Sequence, residues 1–148
     1  MVTTWVMVAE RSRARVFTLA NRMAPLEELE DMVHPQSRFK ESELVSDHAG
    51  KMPDKGQPGV HAAPSATAAK EKEAEAFAQW LCRWLEQAFA EHRLTQLAIV
   101  APPDFLGLLR QRMSVSLRAS VVAEVAKSLA TTSAEQIREH LPGSLVQR

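Results

Sequence analysis

Five consecutive apolar residues near the amino terminus, Trp5-Val6-Met7-Val8-Ala9, constrain this chain's fold more than any other feature. A β-strand sends alternate side chains to opposite faces, so a strand that is apolar at every position needs cover on both sides. Leu97-Ala98-Ile99-Val100-Ala101 repeats the pattern. It follows a helical stretch, as a strand parallel to the first would. The chain is thereby expected to build a sheet with layers on both faces.

The remaining elements follow from local signals. After the polar break Arg11-Ser12-Arg13, residues Ala14 to Ala20 read as a second strand, close enough to the first for a hairpin. A turn over Asn21 to Pro25 leads to a third, charged strand over Leu26 to Val33, with the imperfect alternation of an edge. Residues Ser46 to Ala66 hold Pro53, Gly56, Pro58, Gly59 and Pro64 and predict an irregular loop. Thr67 to His92 predicts the clearest helix, because Ala74, Phe77, Leu81, Trp84, Leu85 and Ala88 share one face. Trp80 and Trp84, one turn apart, suit core packing or a partner surface. Pro102-Pro103 opens a further helix, Val121 to Ala126 reads as the fifth strand, and Ser133 to Gln136 begins a last helix that runs to Pro142-Gly143. The order β-β-β-loop-α-β-α-β-α predicts an α/β fold. Its mixed five-stranded sheet would hold an antiparallel three-strand meander and two parallel strands, with the first strand central and helices as cover. That is a ribonuclease-H-like outline, a single domain over residues 1–142 with a short tail over 143–148.

At 148 residues the chain is long enough for one core without staples. Its 18 basic and 18 acidic side chains cancel, which argues against unspecific attraction to nucleic acid or anionic lipid. A local basic patch stays open: Arg11, Arg13 and Arg15 cluster at the first hairpin, Arg13 and Arg15 point to one side of a strand, and with Arg38, Lys40, Lys51 and Lys55 they could bind phosphate or an acidic partner. The same charges would also deter edge pairing. The lone Cys82 excludes an internal disulfide and suggests a reducing, cytoplasmic setting. Neither a signal peptide nor a run of roughly 20 apolar residues is present, so no membrane insertion is expected.

Catalytic patterns are sparse. The five histidines (His34, His48, His61, His92 and His140) include no pair at the spacing of a helical zinc site, so neither metal nor cofactor is expected. A two-metal nuclease needs converging carboxylates. The first strand has none before Glu10, and only Glu124 in the fifth strand could face inward. Ser46, Asp47 and His61 could be drawn as a triad, but no nucleophile elbow accompanies them.

Ala101-Pro102-Pro103-Asp104-Phe105-Leu106-Gly107-Leu108-Leu109-Arg110 resembles the bacterial host-attachment protein family. So do Trp5 to Ala9 followed by Arg13 to Phe17, the stretch Asp47 to Lys51, Gly59-Val60-His61-Ala62 and Glu75-Ala76-Phe77-Ala78. The likeness runs from about Trp5 to Leu141. It departs where the family carries arginines and this chain has His48, Lys51 and Val60, and where a Lys-Asp-Leu-Thr run is replaced by Lys127 to Ala130. The resemblance implies the fold of the middle domain of the eukaryotic and archaeal class-one release factor. That domain's Gly-Gly-Gln loop corresponds here to Lys55-Gly56-Gln57. Two functions are then expected. One is a non-catalytic binding or regulatory protein that engages RNA, the ribosome or another protein. Arg13 and Arg15 of the basic hairpin, with Asp47, Lys51, Gln57 and His61, would form its contact. The other is a degenerate peptidyl-tRNA hydrolase acting through Gln57.

Overall fold

The computed structural model describes residues 2–34 and 58–147, with the backbone alone over 58–65. The meander is β1 (Thr4–Ala9), β2 (Arg13–Leu19) and β3 (Glu27–Val33). The long helix α1 (Pro58–Ala90) leads to β4 (Gln96–Val100). Then come α2 (Pro103–Arg112), the short α3 (Val115–Ala119), β5 (Val121–Val125) and α4 (Ala134–Glu139). The sheet order is β3-β2-β1-β4-β5. β1 is central, antiparallel to β2 and parallel to β4, and β5 is parallel to β4. The mixed five-stranded arrangement expected from the sequence is the one observed.

Every residue of β1 is buried, and its two faces feed two cores. Trp5, Met7 and Ala9 pack with Phe77, Leu81 and Leu85 of α1 and with Phe105 and Leu109 of α2. Val6 and Val8 pack with Phe17, Leu129, Ile137 and Leu141 beneath the carboxyl-terminal segment. The residues expected as a short tail contribute to that second core, since Val146 is buried and the Gln147 N–H donates to the Arg22 carbonyl at 2.7 Å.

Both edges of the sheet carry a bulge. On β3, Val16 faces Glu30 but Phe17 faces Glu28, so Leu29 is left over. On β5, Leu97 faces Val121 but Ala98 faces Ala123, so Val122 is left over. Both surplus residues are apolar and exposed. Bulges bend an edge strand and break the regular row of backbone groups a second sheet would need.

The helix α1 begins nine residues before the expected Thr67, so the last part of the predicted Ser46–Ala66 loop is helical. Pro58 suits a first helical turn, and Ala62, Ala63, Ala66, Ala68 and Ala69 supply propensity that outweighs the break signals of Gly59 and Pro64. A helix of 33 residues spans about 50 Å, whereas strands of five to seven residues span roughly 17–24 Å. The helix therefore overshoots the sheet. From residue 66 onward Ala74 is the first buried residue, and residues 66–73 are exposed apart from the half-buried Ala69 and Glu73. The short α3 was not expected. Ser114 caps it by accepting from the Leu117 N–H at 3.1 Å, while the Glu86 carboxylate accepts from the Ser114 N–H at 2.7 Å. Ser133 caps α4 as predicted, accepting from the Gln136 N–H at 3.2 Å, although the helix stops at Glu139 rather than at Pro142.

The α1 terminus closes with the bond pattern of a Schellman motif: Arg93 N–H to the Ala88 carbonyl at 2.9 Å and His92 N–H to that of Phe89 at 3.0 Å. His92 occupies the left-handed position with φ 62°, a region that favours glycine. His92→Gly should stabilise the fold by about 0.5–1 kcal/mol. The check is a urea midpoint that rises at unchanged denaturant slope.

Candidate functional site

The carboxyl ends of β1 and β4 meet the first hairpin, the middle of α1 and the start of α2. Arg11, just beyond β1, joins them. Its Nη2 donates to Asp104 Oδ2 at 2.7 Å and its Nη1 lies 3.0 Å from Glu71 Oε1. Asp104 sits in the first turn of α2, where a negative charge complements the helix dipole, and its Oδ1 also accepts the Phe105 N–H at 2.8 Å. The hydrogen bond from Arg11 is the main cause that holds the Asp104 carboxyl below its ordinary value. Glu71 and then Asp104 raise the Arg11 guanidinium in turn. Roughly half of each side chain in this triad remains open to solvent. Arg11, Ser12, Lys70, Glu73 and Ala74 line a cavity of about 280 Å³ beside it.

The two hairpin arginines predicted as binding residues do lie on one side of β2, yet in different settings. Arg13 holds Asp31 in a two-pronged pair, Nε to Oδ1 at 3.0 Å and Nη2 to Oδ2 at 2.8 Å, near the surface. That bonding lowers the Asp31 carboxyl, and Asp31 raises Arg13. Arg15 is far more enclosed, with 12% of its side chain exposed. Its Nε and Nη2 hold the Glu28 carboxylate at 3.0 Å each, and Nη1 donates to the carbonyls of Ala130 at 3.1 Å and Thr132 at 2.8 Å. The guanidinium also lies 5.0 Å from the Phe17 ring centroid. Arg15 thus ties β2, β3 and the segment after β5 together, and its donors are committed to the fold. The hairpin face is matched charge for charge rather than a free cationic patch.

Asp47, Lys51 and Gln57 lie outside the described residues, as do Arg38, Lys40, Ser46, His48 and Lys55. His61 falls on α1, but its side chain lies outside them too. Glu124 does not face into a site; it is exposed and accepts from Arg110 Nε at 2.9 Å. Cys82 is buried against the Leu109 carbonyl, and burial pushes its thiol up to about 12, with Glu86 adding to the shift. A thiol so shifted is no nucleophile near neutral pH. Trp84 stacks toward Trp5 with ring centroids 5.6 Å apart and belongs to the core, whereas Trp80 lies over Phe77 at 5.9 Å and is partly exposed. Among the described residues no group of histidine, cysteine or acidic side chains could hold a metal ion, and no helix is long and apolar enough to cross a membrane. Glu71 and Asp104 escaped the sequence reading; the signal available for Asp104 was its place one residue after the Pro-Pro start of a helix.

Because Asp31 and Asp104 titrate lower in the folded chain than their ordinary value of 3.8, each contributes stability that is fully present above that value. It is lost as pH falls through the folded midpoints. Both pairs are exposed, so each is worth less than about 1 kcal/mol, and salt weakens it. Arg11→Ala should raise the Asp104 midpoint and leave that of Asp31 in place; Arg13→Ala should do the reverse. Carboxylate NMR titrations at low and high salt read both outcomes.

A family model described as "Protein required for attachment to host cells" matches residues 5–141, and the chain belongs to that family. No curated protein matches it.

Proposed function

We propose that this member of the host-attachment family is a binding protein rather than an enzyme, and that it meets an RNA or ribosomal surface at the carboxyl ends of β1 and β4. The observation that carries the reading is the half-exposed cluster of Arg11, Glu71 and Asp104, contributed by three separate elements beside a cavity. In open α/β sheets, the crevice beyond the carboxyl ends of the parallel strands is where ligands bind. Exposed ion pairs are worth roughly 0–1 kcal/mol, so Arg11 and Arg13 can exchange a carboxylate for a phosphate at little cost. Arg15 serves this surface as its anchor.

The segment carrying Asp47, Lys51 and Gln57 leaves the described fold at His34, whose N–H is bonded to the Ser12 carbonyl of the hairpin turn at 2.9 Å. Its far end continues into α1, which passes the same turn at Lys70 to Ala74. We therefore assign Asp47, Lys51, Gln57 and His61 to the same contact. The attachment that names the family then follows from regulation in the cytoplasm, a setting that suits a single buried thiol.

Co-sedimentation with purified ribosomes, with and without ribonuclease treatment, tests the proposal. Wild-type protein should pellet with ribosomes. The double substitution Arg11→Glu, Arg13→Glu should weaken this by about tenfold or more. Arg118→Glu, ahead of the opposite end of β5, should not. Equal pelleting of the two variants would sink the assignment. Peptidyl-tRNA turnover by the wild type that is lost in Gln57→Ala would make the chain a hydrolase instead.

A further inference from the structure

A cavity of about 460 Å³ opens at the other end of the sheet, where β1 and β4 begin and β2 ends. Five apolar residues, Val2, Leu19, Ala20, Val122 and Leu145, form much of its wall. Its polar lining is neutral except at one point. The Thr4 hydroxyl donates to Gln96 Oε1 at 3.1 Å, which leaves the Gln96 amide N–H groups as donors, and Asn21 and Ser144 lie alongside. Arg22 supplies the only charge among the described lining residues. Among the described residues no carboxylate lines the cavity, and none forms an ion pair with Arg22. Arg22 shares this with Arg83, Arg93, Arg118 and Arg138, whereas Arg11, Arg13, Arg15, Arg110 and Arg112 are each matched by an acid, and of these nine none lines the cavity.

The backbone that carries Arg22 is held firmly. Arg138 donates to the Arg22 carbonyl and, through Nε at 2.9 Å, to that of Ala24. The Gln147 N–H adds a bond to the Arg22 carbonyl at 2.7 Å, and Asn21 Oδ1 accepts the Met23 N–H at 2.9 Å. The turn is therefore fixed through its carbonyls, and among the described residues none pairs with the Arg22 guanidinium. A preformed hollow that pairs apolar walls with one cation and a few neutral donors is the pattern of a small-molecule site.

We propose that this cavity binds a small organic monoanion, a carboxylate on a short apolar chain. The guanidinium fork of Arg22 matches the two carboxylate oxygens, and the neutral donors complete their coordination. The apolar walls accept the chain. A single cation favours one negative charge over the two of a phosphate monoester. This site is separate from the surface at the carboxyl ends of the strands, and nothing in it depends on that reading.

Octanoate titrated into isotope-labelled protein, followed by amide NMR, tests the proposal. Saturable shifts should cluster at Leu19 to Arg22, Gln96 and Ser144 to Leu145. Arg22→Ala should weaken binding by about tenfold, the loss of one charge-assisted contact. Val122→Glu, which sets a carboxylate on the exposed rim, should remove binding, and Arg83→Ala, on the exposed side of α1, should leave it unchanged. Octanol and inorganic phosphate are run in parallel, and each should bind at least tenfold more weakly than octanoate. The proposal is overturned by an absence of saturable shifts, by Arg22→Ala binding as the parent does, or by either parallel compound matching octanoate.

Discussion

A strand with no polar face has to be covered twice, and β1 imposes that demand on the rest of the molecule. All six of its residues are buried, so the chain supplies one layer from α1 and α2 and another from the segment that ends in α4. Each layer has its own large anchors. Phe77, Leu81 and Phe105 fill one side, and Phe17, Leu129 and Ile137 fill the other. Burial of side chains this size is worth about 1.5–3 kcal/mol each relative to exposure, well above any single surface ion pair. Hydrophobic cover therefore sets the architecture, and the charged groups arrange themselves around it.

Among those charges, depth separates structure from surface. Arg15 and Arg13 are two residues apart on the same strand face and carry the same group. Arg15 is enclosed and spends its donors on Glu28 and two carbonyls, which locks the β3 edge to the segment after β5. Arg13 holds a single acid at the surface. Removing a partner from the enclosed group would strand a desolvated charge, whereas opening the surface pair returns both groups to water. The same distinction governs Arg11 and Arg138. One bridges side chains in solvent; the other is bonded to backbone carbonyls and stiffens a turn.

The parts of the fold that rest on unbroken apolar runs were legible in the sequence. The runs from Trp5 to Ala9 and from Leu97 to Ala101 contain no polar residue to contradict a buried strand, and the spacing from Ala74 to Ala88 marks the buried stripe of α1. What escaped depended on context. The start of α1 was masked by Gly59 and Pro64, whose local signals oppose those of the nearby alanines. The Arg15–Glu28 pair depends on the bulge at Leu29, and an extra residue in one strand is invisible until the register is known. The Arg11 cluster joins residues 60 and 93 positions apart, a distance that no local pattern spans. The hollow around Arg22 draws on strand ends, a turn and the final residues in the same way.

The two bulges bear on how the chain behaves at high concentration. An open sheet has two free margins, and a flat margin of β-branched residues is a template on which further copies can grow into fibres. Here β3 offers acids with Leu29 out of register, and β5 offers only five residues with Val122 displaced. A neighbouring copy meets a bent, irregular row of backbone groups at either margin. With a net charge of zero that gives little mutual repulsion, these interrupted margins are the feature that works against polymerisation through the sheet.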